Sequence, residues 1–177
     1  PMMCSRFQIR VLILVSASIG LVPSSFSIDT DKPIEIAADS AIREEPSGET
    51  TYRGDVLLTQ GTLKIKADSL VFTFDENKAT LITARGNPAT MTQQPDGSSG
   101  PIDAHAETIE YHEATDRIRL IGGARILQNG AVIEGSTIEY LVTTQRVMAA
   151  GSPDKDLPQR VKVTIPPNAL REGSEYE

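Results

Sequence analysis

Tryptophan is absent from this chain of 177 residues, cysteine occurs once, at Cys4, and histidine twice, at His105 and His112. One thiol excludes a disulfide framework, and so few Cys and His side chains leave a zinc-type site without its ligand set. Aromatic residues amount to only 5%, whereas 13 glycines and abundant β-branched residues favour strands joined by turns. Basic residues are in deficit, 17 against 24 acidic, so the net charge is −7. That balance lacks the basic footprint by which a protein neutralises a phosphate backbone, and it excludes a general nucleic-acid binder. What is present, 39% apolar residues in a chain of this length, suits one soluble domain with a real core.

The longest apolar stretch, Val11 to Val22, follows Arg6 and Arg10 and precedes Pro23 and the small-residue run Ser25-Phe26-Ser27. At about 12 residues it is too short for a bilayer span of about 20, and the order basic, apolar, small is that of a secretory signal. Residues 1–27 are therefore expected to be a signal peptide cleaved after Ser27, an uncleaved anchor being the alternative. Cys4 precedes the apolar run, where a lipoprotein acceptor would follow it, so it leaves with the signal. Residues 28–165 then form the folded domain. Residues 166–177, opened by Pro166-Pro167 and poor in apolar side chains, form a flexible tail.

The domain contains an internal repeat: a small residue, an acidic or hydroxyl residue, then a hydroxyl residue. It occurs at Ala38-Asp39-Ser40, Ala67-Asp68-Ser69, Ala106-Glu107-Thr108 and Gly135-Ser136-Thr137, at spacings of 29, 39 and 29 residues. Apolar and small residues alternate before each signature, as Ile34, Ile36, Ala38 and as Leu63, Ile65, Ala67. A period of two is a strand with one face inward. After the signature the alternation resumes one step out of phase, as Leu70, Phe72, Phe74, as Ile109, Tyr111 and as Ile138, Tyr140, Val142. A slip of that kind at a small residue predicts a bulge or corner. Polar turns follow, such as Asp75-Glu76-Asn77-Lys78, leading into short strands that Gly86, Gly122-Gly123 and Gly151 are expected to close. Gln60-Gly61 and Asn129-Gly130 read as hairpin turns, and residues 93–101 as a long loop. No window carries a helical stripe. The fold class is all-β, a rolled antiparallel sheet with an apolar inner face and two exposed end strands.

No catalytic residues emerge. The acidic pairs Glu44-Glu45 and Asp75-Glu76 fall in turns, where a charge run is normally a solvated face. Asp39, Asp68 and Glu107 read as corner residues bonded to local backbone. His105 and His112 read as solvent-facing. There is no phosphate loop, nucleophile elbow or HExxH motif, so neither an enzyme nor a cofactor is indicated. The apolar interior remains, and pattern alone leaves it either a filled core or a lined groove.

The segments Asp29-Thr30-Asp31-Lys32-Pro33-Ile34-Glu35-Ile36, Gly54 to Asp68, Gly86-Asn87-Pro88-Ala89, Ala106 to Tyr111 and Ile133 to Tyr140 resemble the LptA family, the OstA-like periplasmic proteins of lipopolysaccharide export. The resemblance runs from about Asp29 to Ile165. It implies a β-jellyroll shaped like a twisted V, whose hydrophobic groove holds lipid A acyl chains in the periplasm. It also implies head-to-tail assembly into a bridge from LptC at the inner membrane to LptD at the outer membrane, and no catalysis. By position, Thr30, Ile34 and Ile36 match the family's N-terminal segment at the groove mouth. Ile65, Phe72, Phe74, Tyr111, Leu120, Ile138 and Tyr140 are groove candidates from the register. Ile34, Ile36, Val161, Val163 and Ile165 are the candidate partner-contact edges. Lys64, Lys66 and Arg125 are candidates to meet lipid phosphates at the rim. The rival reading is a structural or adhesive exported β-domain with a packed core and no lipid.

Overall fold

In the computed structural model, which describes residues 32–45, 47–76, 78–94, 100–141, 144, 146–152 and 160–167, the period-two alternation becomes antiparallel strands. The expected signal segment, Cys4, Thr30, Val142 and residues 95–99 and 168–177 lie outside the described residues. In chain order the strands are β1 (Glu35–Ala37), β2 (Ser40–Glu44), β3 (Glu49–Gln60), β4 (Leu63–Asp75), β5 (Lys78–Gln93), β6 (Ile102–His112), β7 (Arg117–Gln128), β8 (Ala131–Leu141), β9 (Arg146–Ala150) and β10 (Lys162–Thr164). They form one sheet, a meander from β3 to β8. A short 3-10 turn, Glu113–Thr115, joins β6 to β7. The expected Gln60-Gly61 and Asn129-Gly130 turns join β3 to β4 and β7 to β8, with Asn129 and both glycines at positive φ.

A line of bulges crosses the meander. Pairing slips between Arg53 and Val56, Lys66 and Ser69, Arg85 and Ala89, His105 and Thr108, and Ile121 and Ala124. An extra residue re-aims the side chains that follow, so each long strand turns a corner and keeps its apolar face inward. Two half-sheets result, facing each other across one core. The small-acidic-hydroxyl signatures fall on this seam, in β4, β6 and β8 and between β1 and β2. Glycine fills the seam on the strands between them: Gly54 in β3, Gly86 in β5, and Gly122 and Gly123 in β7. Gly86 and the Gly122-Gly123 pair thus lie inside long strands, where the sequence pattern had them ending short ones. Gly122 and Gly123 take φ of 81° and 55°, which bends a strand where a turn would have stopped it.

Burial falls off away from the seam. Along β6, Ala106 is 1% exposed, Ala104 4% and Ile102 9%. In the other half-sheet Leu70, Leu120 and Ile138 next to the seam are almost wholly buried, while Phe74, Tyr111 and Tyr140 farther out are half-buried. The cross-section is a V, packed at its apex and parted at its tips. At the ends of the sheet, β1 and β2 pair with opposite halves of β3, and β10 and β9 with opposite halves of β8. Each end therefore presents one edge from each half-sheet.

Candidate functional site

Between the parted tips lie two adjoining cavities of about 170 and about 200 Å³. Met91, Gln93 and Ile118 wall both, so the two run into each other along the V. An enclosed apolar void of about 150 Å³ holds a small hydrocarbon; these cavities are of that size, open to solvent, and lined chiefly by aliphatic side chains. Leu58, Ile65 and Ile109 complete the first, and Leu120, Ile126 and Ile138 the second. The elements that place them are the long strands on either side of the seam, whose alternation sends every second side chain inward.

The walls are nearly free of charge. Glu113 is the one carboxylate among the described residues lining the two cavities, which include no Lys, Arg or His, and it pairs with Lys78 at 2.7 Å. Tyr111 donates its hydroxyl proton to Asp116 Oδ1 at 3.0 Å. Burial, aided by that hydrogen bond, pushes its pKa up to about 12, and burial raises Tyr140 as well. Both phenols therefore stay neutral wall groups. Charges gather on the outer face instead. Arg119 bonds Glu139 Oε1 at 3.0 Å and Glu110 Oε2 at 3.3 Å, and His112 Nε2 lies 3.2 Å from Glu110.

Of the groove candidates, Ile34, Ile65 and Tyr111 wall the first cavity and Leu120, Ile138 and Tyr140 the second. Ile34 stands at the mouth, 42% exposed, and Ile36 packs against the core from β1. Phe72 and Phe74 face inward but wall neither cavity. They stack on each other at 6.0 Å, Phe72 also meets Tyr52 edge-on, and the Arg43 guanidinium covers Phe74 at 5.5 Å from its centroid. Their place is the packed N-terminal end of the second half-sheet. The proposed phosphate-rim cations face outward: Lys64 and Lys66 alternate with inward Ile65 and Ala67, Lys66 shares an outer hollow with Asp55 and Asp68, and Arg125 lies 3.8 Å from Glu134. Val163 and Ile165 are each 54% exposed and Val161 39%, around β10. Met91, Ile82, Ile118 and Ile126 were absent from the expected set. Their alternation is as regular as that of β4, but it lies on β5 and β7, which the glycines made look short.

The profile of a family described as "LptA/(LptD N-terminal domain) LPS transport protein" matches residues 35–146. Lipopolysaccharide export system protein LptA of Escherichia coli strain K12 is 33% identical over 165 residues, covering 91% of this chain and 86% of that protein. Lipopolysaccharide export system protein LptH of Pseudomonas aeruginosa is 34% identical over 124 residues, 70% of each chain. The crystal structure of LptH, described as the LptA homologous periplasmic component of the lipopolysaccharide transport device of P. aeruginosa, superposes with a TM-score of 0.71 at 31% identity. The match covers 78% of this chain and 99% of that one. The rolled, bulged sheet described above is thus the OstA-like β-jellyroll.

Proposed function

The chain belongs to the LptA/(LptD N-terminal domain) family of lipopolysaccharide transport proteins, and from that premise we propose that it carries lipopolysaccharide across the periplasm with the acyl chains in the V. The observation that carries this reading is the pair of adjoining, predominantly apolar cavities open along the tips of the half-sheets. Each acyl methylene taken from water is worth about 0.8 kcal/mol, so a lipid with several chains crosses an aqueous compartment only if they are shielded. Many interchangeable aliphatic contacts spread that gain evenly, and an even path lets a chain slide where a deep pocket would hold it. The protein performs no bond chemistry in this role.

The finer parts of the proposal concern assembly. Residues 1–27 direct export and are removed, and the domain from 28 to 165 works in the periplasm. Copies join head to tail through the β1 and β10 edges, with LptC at one end of the bridge and LptD at the other, and the row contributes to outer-membrane assembly. Exposed Ile34 at one end and Val163 and Ile165 at the other support this reading, because an apolar, unpaired edge is a template for strand addition. A packed-core adhesive domain finds no such support.

A photoreactive residue in place of Ile118, which walls both cavities, tests the transport reading. Lipopolysaccharide adducts are expected there and at Tyr140, with none at outward-facing Thr73. A folded protein that labels at Thr73 and not at Ile118 overturns it.

A further inference from the structure

We infer that Gln93 and Gln128 form a neutral hydrogen-bonding rail on one lip of the groove, which holds the acylated sugar of the lipid by its amide, ester and hydroxyl groups. This rests on the transport reading above and assigns a direction to the lipid within it. The sheet register carries the inference. The outermost inward-facing row of the first half-sheet runs through Gln60 paired with Leu63, then Gln93 paired with Ile102, then Gln128 paired with both Ile102 and Ala131. Lys64 pairs with Thr92, which brings Leu63 alongside Gln93 and makes the row continuous. Glutamine therefore recurs on every second strand, at intervals of about 10 Å, twice the strand spacing.

All three amides line the cavities: Gln60 and Gln93 the first, Gln93 and Gln128 the second. Gln60 already donates Nε2–H to the carbonyl of Lys32 at 3.1 Å, which ties the N-terminal segment across the groove mouth. Gln93 and Gln128 are half-buried, and among the described residues neither side-chain amide has a protein hydrogen-bond partner. A half-buried amide that is open to water and bonded to no protein group, beside an apolar cavity, is available to a ligand in exchange for water. On the facing lip the Tyr111 hydroxyl is already engaged by Asp116, and Tyr140 is a second polar tip there.

The chemistry of the amide selects the sugar end of the lipid. Glutamine both donates and accepts, which matches hydroxyls together with amide and ester carbonyls. It offers no charge to grip a phosphate, and on this side of the groove Lys66 and Arg125 lie on the outer face. Neutral hydrogen bonds exchanged against water are weak one at a time, so a rail of them orients the lipid and still lets it advance.

The test compares lipid A with a tail-only probe, neutral N-phenyl-1-naphthylamine, on the full chain and on the double variant Gln93→Leu/Gln128→Leu. Lipid A affinity is expected to fall about tenfold, the loss of two neutral hydrogen bonds, while the probe binds as well or better. The variant Gln93→Glu/Gln128→Glu keeps the lip polar in case the leucines impair folding, and it should lose lipid A binding with the probe retained. Unchanged lipid A affinity, or an equal fall for both ligands, overturns the rail and leaves the groove standing. A wild-type chain that takes up neither ligand overturns the groove itself, and the rail with it.

Discussion

Asp39 lies across Gly54: a Cβ on that glycine would come 2.7 Å from the Cβ of Asp39. The Asp39 backbone N–H also donates to the Gly54 carbonyl at 3.1 Å. Glu107 stands over Gly122 in the same way, with Oε2 2.6 Å from the place a Cβ would take. At these two corners the acid of the repeat signature and the glycine of the adjoining strand are therefore two halves of one device. Both glycines have φ of 81°, and left-handed backbone costs an L side chain about 1–2 kcal/mol. Asp39 blocks with its Cβ, which has nowhere to go, whereas the Glu107 carboxylate can swing aside. Beside them Gly123, at φ 55°, has nothing within 4 Å of its would-be Cβ. Gly54→Ala should thus cost about 3 kcal/mol, Gly122→Ala about 2 and Gly123→Ala about 1. Urea unfolding checks the order, and Asp39→Gly should recover part of the Gly54→Ala loss. Equal costs at the three sites would dissolve the link between acid and glycine.

The same corner shows how far the sequence could be read. On β4, β6 and β8 the phase slip is visible because a small residue and an acid or serine replace the apolar alternation for one step, so the register gives Ile65, Tyr111 and Ile138 the inner face that they take in the structure. On β5 and β7 the slip is made by Gly86 and by Gly122-Gly123, and glycine alone reads equally well as a strand end. Met91 and Ile118, which join the two cavities, were lost with those strands. Alternation names a face but not a place along the sheet: Phe72, Ile82, Tyr111, Ile118 and Tyr140 form one cross-strand row, and Phe72, with Phe74 beyond it, packs at the closed β4 end of that row while Tyr140 walls the second cavity. The glutamine lip needed the cross-strand register, which no single strand contains.

Tyr111 predicts an alkaline weakness. Its folded pKa, about 12, stands above the ordinary value of 10.0, chiefly through burial and then through its bond to Asp116. Between those values the unfolded chain gives up the phenolic proton that the folded one keeps, so stability is whole below pH 10 and drains as pH rises toward about 12. Tyr140, raised by burial, adds to the loss in the same sense. Absorbance at the tyrosinate band should show phenols titrating late in the folded protein, and Tyr111→Phe should flatten the fall of denaturation midpoint above pH 10. An identical alkaline slope in the variant would exclude Tyr111 as its source.

Assembly by unlike ends makes a sharper demand. In one half-sheet the N-terminal edge, β2, carries Arg43 on its inner face, opposite Thr50 and 2.6 Å from Glu45, and inward charge discourages strand addition. In the proposed row β1, beside exposed Ile34, is then the pairing edge at this end, and β10, with exposed Val163, its complement at the other. A head-to-tail contact uses one edge of each kind. Ile34→Asp and Val163→Asp should therefore each abolish concentration-dependent association alone, because every contact then lacks one partner. Mixed in equal amounts, they should recover dimers and stop there: the Ile34→Asp chain offers an intact β10, the Val163→Asp chain an intact β1, and no second contact can form. Sedimentation velocity distinguishes the cases. Dimers of Val163→Asp alone would mean a symmetric β1 contact, dimers of Ile34→Asp alone a symmetric β10 contact, and in either case a closed pair in place of a row that can lengthen across the periplasm.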